Sequence, residues 1–282
     1  MKNISVIGSG TMGNGIAHVL ALAGNVVSLV DSSPEALSKA LATITANLGR
    51  QVNKGFINED QKINALTSIR LFSNLQEGIA SADFVIEAAT ENKDVKLELF
   101  RKLDWHSPSH CILGSNTSSI PISDIASATN RKDKVIGIHF MNPVPIMELV
   151  EVIKTAETSD DTCNRSITLI ESLGKTPILI NDAPGFISNR ILMPMINEAV
   201  YAFSEGIGSA EAIDQIMKLG MAHPMGPLKL ADLIGLDICV SIMNVLYQGF
   251  SNNPKYLPCP LLIKMVQEGK KGVKSGEGFY TY

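Results

Sequence analysis

Hydrophobic residues in the first two-thirds of the chain come in short unbroken runs, separated by stretches where they recur every three or four positions. The runs occupy 4–7, 26–30, 84–86, 112–113, 135–138, 149–153 and 178–180. Apolar runs with little polar alternation are what strands covered on both faces require. Their alternation with helical patterns predicts an α/β fold built on a doubly wound sheet. Helices are expected over 34–52, with Pro34 suited to a first turn, and over 59–67. Past Asn181-Asp182-Ala183-Pro184-Gly185 the strand-like runs stop, and long helical patterns take over at 186–205 and 235–247. The chain therefore reads as an α/β domain over 1–182 and a smaller helical domain over 183–282.

The first run ends in Gly8-Ser9-Gly10-Thr11-Met12-Gly13, and a helical pattern follows through Ile16, Ala17, Val19 and Leu20. A Gly-x-Gly-x-x-Gly turn between a strand and a helix suits a Rossmann-like dinucleotide site. Gly8 turns the chain, Gly10 admits a pyrophosphate, Gly13 lets helix and sheet approach, and the helix N-terminus faces the anion. The second predicted strand ends in Asp31, 18 residues beyond Gly13. A carboxylate there accepts hydrogen bonds from the adenosine ribose hydroxyls and repels a 2′-phosphate. Ser32, Ser33 and Pro34 follow without an Arg, so NAD is favoured over NADP. The competing reading, an ordinary glycine-rich turn, leaves the position of Asp31 unexplained.

In open α/β sheets ligands gather beyond the carboxyl ends of the strands. Glu87 and Glu91 follow one run, Ser115-Asn116-Thr117-Ser118-Ser119 another, and His139 with Asn142 a third. Residues 135–153 read as two strands joined by Asn142-Pro143-Val144-Pro145; antiparallel pairing about Pro145 sets His139 opposite Glu151. A carboxylate facing an imidazole fixes its tautomer and raises its basicity, which suits a base that takes a hydroxyl proton. The alternative for His139 is a core histidine bonded to a backbone carbonyl. His18 reads as packing, His106 and His110 as loop residues flanking Pro108, and His223 as part of a turn. None has metal-ligand spacing.

Composition narrows the partners. The 282 residues carry a net charge of −4 with 45% apolar and 18% charged residues, a globular balance with no basic cluster for nucleic acid or an anionic membrane. No apolar stretch reaches membrane length and no signal segment is expected, which points to the cytoplasm, an organelle matrix being the alternative. Cys111, Cys163, Cys239 and Cys259 lack Cys-x-x-Cys spacing and read as reduced packing thiols. The segment from Ala231 to Met243 is more apolar than one small helical layer needs, so a homodimer through the helical domain is expected. Its alternative role is internal core against the helix at 186–205.

Six segments together resemble the L-3-hydroxyacyl-CoA dehydrogenases, especially their short bacterial 3-hydroxybutyryl-CoA type. They are Val6-Ile7-Gly8-Ser9-Gly10-Thr11-Met12-Gly13, Ser115-Asn116-Thr117-Ser118-Ser119, Gly137-Ile138-His139-Phe140-Met141-Asn142-Pro143, Leu149-Val150-Glu151-Val152, Pro184-Gly185-Phe186-Ile187-Ser188-Asn189-Arg190 and Lys274-Ser275-Gly276-Glu277-Gly278-Phe279-Tyr280. The resemblance implies NAD-dependent interconversion of 3-hydroxyacyl-CoA and 3-oxoacyl-CoA. It makes His139 the catalytic base and Glu151 its partner, and sets Ser118 and Asn189 on the reacting oxygen and the histidine. Gly8, Gly10, Thr11, Met12, Gly13, Asp31, Glu91, Lys96, Ser118, Asn142 and Lys274 would line the dinucleotide site. Asn47, Lys54 and Ser118 would meet the acyl-CoA, and no metal is implied. Two rivals remain: a dehydrogenase of free hydroxy acids, like the lambda-crystallin relatives, and a non-catalytic NAD-binding sensor. Asn47 and Lys54 speak against the first, and the set His139, Glu151, Ser118 and Asn189 against the second.

Overall fold

In the computed structural model, which describes residues 3–282, the apolar runs become β1 (Asn3–Ile7), β2 (Val26–Val30), β3 (Ile69–Phe72), β4 (Phe84–Glu87), β5 (Ile112–Ser115), β6 (Val135–Phe140), β7 (Leu149–Lys154) and β8 (Thr176–Asn181). They form one sheet in the order β3-β2-β1-β4-β5-β6-β7-β8. Neighbours are parallel except β6 and β7, which run antiparallel. The chain leaves β1 for β2 on one side and later crosses to β4 on the other. The crevice that this reversal opens at the end of β1 is where such sheets bind ligands.

Helices α1 (Thr11–Leu22), α2 (Pro34–Asn53), α3 (Glu59–Ser68), α4 (Leu75–Ile79), α5 (Lys93–His106), α6 (Ile122–Ser127) and α7 (Asp160–Ser172) connect the strands. Ile16, Ala17 and Leu20 of α1 and Leu37, Ile44 and Leu48 of α2 join Val6, Leu29 and Ile86 of the sheet in one core. Their helical spacing presents one apolar stripe to the strands.

Three expectations from the pattern change here. The run at 178–180 is an edge strand, with Ile178 47% and Leu179 41% exposed. Pro177 suits that position, because it has no N–H to give a further neighbour. His106 is the last residue of α5, not part of a loop. A further strand, β3, occupies the other edge, where Arg70 and Leu71 point to solvent.

The chain divides after Asp182 into two compact units. The second unit is helical: α8 (Ser188–Ser204), α9 (Ala210–Gly220), α10 (Pro227–Ile234), α11 (Leu236–Gly249) and α12 (Pro260–Gln267). Met193, Ile196, Val200, Leu228, Met243 and Leu262 belong to its core. Two buried aspartates organise it. Asp214 accepts the N–H groups of Leu228 and Lys229 at 2.8 and 2.9 Å and the Tyr280 hydroxyl at 2.8 Å. Asp232 accepts the N–H groups of Phe279 and Tyr280 and the Tyr282 hydroxyl, which ties the last residues to α10. Most of the apolar stretch 231–243 goes into this internal core through Ala231, Leu236, Cys239, Ile242 and Met243. Leu233 and Ile238 of the same stretch stay exposed, at 57% and 43%. Among the described residues no single helix is long and apolar enough to cross a membrane, and α10 with α11 qualifies only as a pair across a 96° bend.

Candidate active site

At the end of β1, Gly8 has φ 96° and lies so close to the next loop that a Cβ would stand 2.6 Å from Ala89 Cα. A Cβ on Gly13 would fall 1.7 Å from the Gly8 carbonyl oxygen, so α1 meets the strand end only as glycine. Gly10 faces open space. The N-terminus of α1 receives no side-chain cap, and its first turn holds no acidic residue. By contrast, Ser33, Asn58, Asn92, Ser159 and Ser209 cap α2, α3, α5, α7 and α9 with their own oxygens. The backbone donors that open α1 and the positive end of its dipole are thus left for an anion, which fits the pyrophosphate of a dinucleotide.

Asp31 closes β2 beside this turn. Its Oδ2 accepts the N–H and hydroxyl of Ser9 at 2.8 and 2.7 Å, and its Oδ1 accepts the N–H of Ser33 at 3.1 Å. Partial burial pushes this carboxyl up, but the Ser9 hydroxyl and the Ser33 and Ser9 N–H groups outweigh it and hold the carboxyl below its ordinary value. A fixed negative charge at this point suits ribose hydroxyls and opposes a phosphate. Gly8, Gly10, Thr11, Asp31, Asn47 and Asn142 all line one cavity of about 930 Å³, a size in the range of small-molecule sites.

A second cluster lies where β4, β5 and β6 end. The β6–β7 register places His139 opposite Glu151, and His139 Nδ1 donates to Glu151 Oε2 at 2.8 Å. The two residues are 8% and 3% exposed. With Nδ1 as the donor, the lone pair of the neutral ring sits on Nε2, the tautomer a general base needs. Glu91 gathers the loop after β5: its Oε1 accepts the Ser118 N–H and hydroxyl at 2.6 and 2.8 Å, and its Oε2 accepts the Thr117 hydroxyl at 2.7 Å. Asn116 Oδ1 accepts the Phe140 N–H at 2.9 Å, which joins that loop to β6.

Lys96, on α5, is buried and paired with Glu87, which also accepts the Ser115 hydroxyl and the Ala89 N–H at 2.8 Å each. The ion pair thus sits under the loops that carry Glu91 and Ser118. Met12 is partly buried behind the glycine turn, packed against the core. Lys54 is exposed just past the end of α2. One face of that helix also presents Asn47 and Arg50, which are hydrogen-bonded to each other. Asn189 and Lys274 belong to the helical unit: Asn189 in the first turn of α8, and Lys274 beyond α12 in an ion pair with Asp237 at 2.5 Å. No His, Cys, Asp and Glu group among the described residues can hold a metal ion.

Sequence reading missed Ser9 and Ser33 as the backing of Asp31, although both lie in the stretches it singled out. It also missed Arg50, which the spacing from Asn47 to Lys54 would have placed on the same face. The Glu87–Lys96 pair had no such signal.

Two family models match nearly the whole chain. The NAD-binding domain of 3-hydroxyacyl-CoA dehydrogenase covers residues 3–183, and the C-terminal domain of the same enzyme covers 185–282. A probable 3-hydroxybutyryl-CoA dehydrogenase of Bacillus subtilis is 51% identical over 100% of this chain and 98% of its own length. The 3-hydroxybutyryl-CoA dehydrogenase of Bradyrhizobium diazoefficiens is 51% identical over 100% of this chain and 96% of its own. Among solved structures, the (S)-3-hydroxybutyryl-CoA dehydrogenase of Ralstonia eutropha superposes with a TM-score of 0.97 at 46% identity, covering 100% of this chain and 99% of that one.

Proposed function

The chain belongs to the 3-hydroxyacyl-CoA dehydrogenase family, and from that premise we propose that it interconverts (S)-3-hydroxybutyryl-CoA and acetoacetyl-CoA with His139 as the general base. It is an NAD-binding oxidoreductase that acts on CH–OH groups. The observation that carries the reading is the buried His139–Glu151 hydrogen bond at 2.8 Å, on the same sheet as a dinucleotide turn whose helix N-terminus is uncapped.

Bound NAD supplies the acceptor for the hydride that leaves C3 of the hydroxyacyl thioester. His139 takes the hydroxyl proton at Nε2, and Glu151 stabilises the imidazolium that forms; in reduction the imidazolium returns the proton to the ketone oxygen. Ser118 holds the reacting oxygen. Glu91 orients Ser118 by accepting its N–H, and the Ser118 hydroxyl, which also donates to Glu91 at 2.8 Å, turns to the substrate oxygen when substrate binds. Asp31, Glu91 and Asn142 position the dinucleotide, with Lys96 paired to Glu87 beneath them. Asn47 and Lys54, with Arg50 between them on α2, face the phosphates of coenzyme A; cations there suit a polyanion in a slightly acidic chain.

Acetoacetyl-CoA should oxidise NADH at a readily measured rate, and kcat/KM with NADH should exceed that with NADPH by at least about tenfold, since Asp31 faces the added phosphate. An inert acetoacetyl-CoA, or turnover of free acetoacetate at a similar rate, refutes the substrate assignment. Preference for NADPH refutes the part given to Asp31.

The enzyme works as a homodimer through its helical unit. Ile191 on α8 and Ile216, Leu219 and Met221 at α9 are exposed apolar side chains, and Ile216 and Leu219 share one helix face. Light scattering should give a species of about twice the 30.3 kDa chain mass. Leu219→Asp should shift it to monomer at micromolar concentration with NADH affinity retained; a monomeric parent chain rejects the dimer. A cytoplasmic site of action accords with four free buried cysteines, of which burial pushes Cys111 and Cys239 up to about 12.

A further inference from the structure

The loop between β6 and β7 carries a structural problem and an unusual solution to it. His139 and Glu151 stand on the strands it joins, and Asn142, Pro143, Val144 and Pro145 line the dinucleotide cavity. Pro143 and Pro145 have no N–H, so the loop is short of donors for its own carbonyls. The Pro143 carbonyl is served from within, by the N–H groups of Ile146 and Met147 at 3.0 Å each. The Val144 and Met147 carbonyls are served from outside: the ammonium of Lys175 donates to them at 2.6 and 2.7 Å. Val144 is 2% exposed, out of reach of bulk water.

Lys175 lies at the entry to β8, where the Thr176 N–H bonds to the Glu148 carbonyl at 2.9 Å. It is buried. Desolvation holds its pKa below the ordinary lysine value, against the charge of Glu148, which raises it. A buried ammonium on two backbone carbonyls is a costly arrangement for a fold to keep. Val144 also abuts α1, where a Cβ on Gly15 would meet the Val144 Cβ at 2.9 Å. Val144 is therefore held both by packing on the first helix of the dinucleotide turn and by the Lys175 ammonium on its carbonyl. A shift of its backbone would carry Asn142 and Pro143 with it along the cavity wall.

We propose that Lys175 is a positioning residue for the dinucleotide site, acting through the Val144 and Met147 carbonyls to hold the Asn142–Pro145 wall in its binding geometry. The inference rests on reading the cavity as the dinucleotide site, and direct NADH titration separates the two: a parent chain that fails to bind NADH refutes the site, not the strut. Lys175→Met keeps the apolar stem and removes the donor. It should raise the Kd and KM for NADH by about tenfold, with KM for acetoacetyl-CoA changed by less than about twofold and the melting temperature lowered by only a few degrees. Lys175→Arg, which can still donate to two carbonyls, should recover most of the lost NADH affinity. NADH affinity within twofold of the parent in Lys175→Met overturns the proposal. So does a uniform loss of stability and of both KM values, or a folded Lys175→Arg no better than Lys175→Met.

Discussion

His139→Gln should lower kcat for acetoacetyl-CoA reduction by about 10²–10⁴-fold, the usual worth of a positioned general acid–base, while NADH binds as it does to the parent chain. Gln is the informative replacement because of what lies behind the ring. Glu151 is 3% exposed and accepts from His139 Nδ1. Ala would leave that carboxylate buried without this donor, at a cost in stability that would blur the kinetics. A Gln amide can still donate to Glu151, yet it has no group that exchanges a proton near neutral pH. The stopped-flow rate of the single turnover and a fluorescence titration of NADH measure the two halves separately. A kcat within about fivefold of the parent would reject His139 as the base. Loss of NADH affinity together with kcat would instead place His139 in the cofactor site.

The parts of this site that were legible in the sequence are those that local rules impose. The glycine turn can be read because each glycine answers a steric demand within a few residues, as the 1.7 Å approach of a Gly13 Cβ to the Gly8 carbonyl makes plain. The His139–Glu151 pair can be read because strands joined by a short loop have a register set by that loop, and β6 and β7 keep it. Lys175 reaches Val144 across 31 residues, and the Glu87–Lys96 pair forms only because α5 packs beside β4 and β5. No spacing rule encodes either contact. The exposure of Ile178 and Leu179 was hidden for a related reason: an apolar run looks the same whether a strand is central or at the edge, and only the strand order decides. The stretch 231–243 was ambiguous in the same way, since an apolar helix face does not say whether its cover comes from the same chain or another.

Glu151→Gln should cut kcat by about 10²–10³-fold although Gln touches neither substrate nor cofactor in the proposed mechanism. A carboxylate can only accept, so it forces the proton onto Nδ1 and leaves the lone pair on Nε2. A carboxamide offers both a donor and an acceptor in the same place. When it turns its NH₂ toward the ring, Nδ1 becomes the acceptor and the proton moves to Nε2, so the imidazole cannot take another from the substrate hydroxyl. The negative charge that steadies the imidazolium is lost in either orientation. A comparable substitution behind the histidine of a serine protease costs about 10⁴-fold by the same route. Removing a buried charge while keeping a hydrogen-bond partner should leave the melting temperature within a few degrees of the parent. Since Glu151 is proposed to act only through His139, the double variant His139→Gln/Glu151→Gln should be no slower than His139→Gln alone. Additive losses in the double variant would mean that Glu151 acts on the reaction by itself. A Glu151→Gln enzyme within threefold of the parent kcat would mean that the ring holds its working tautomer without the carboxylate.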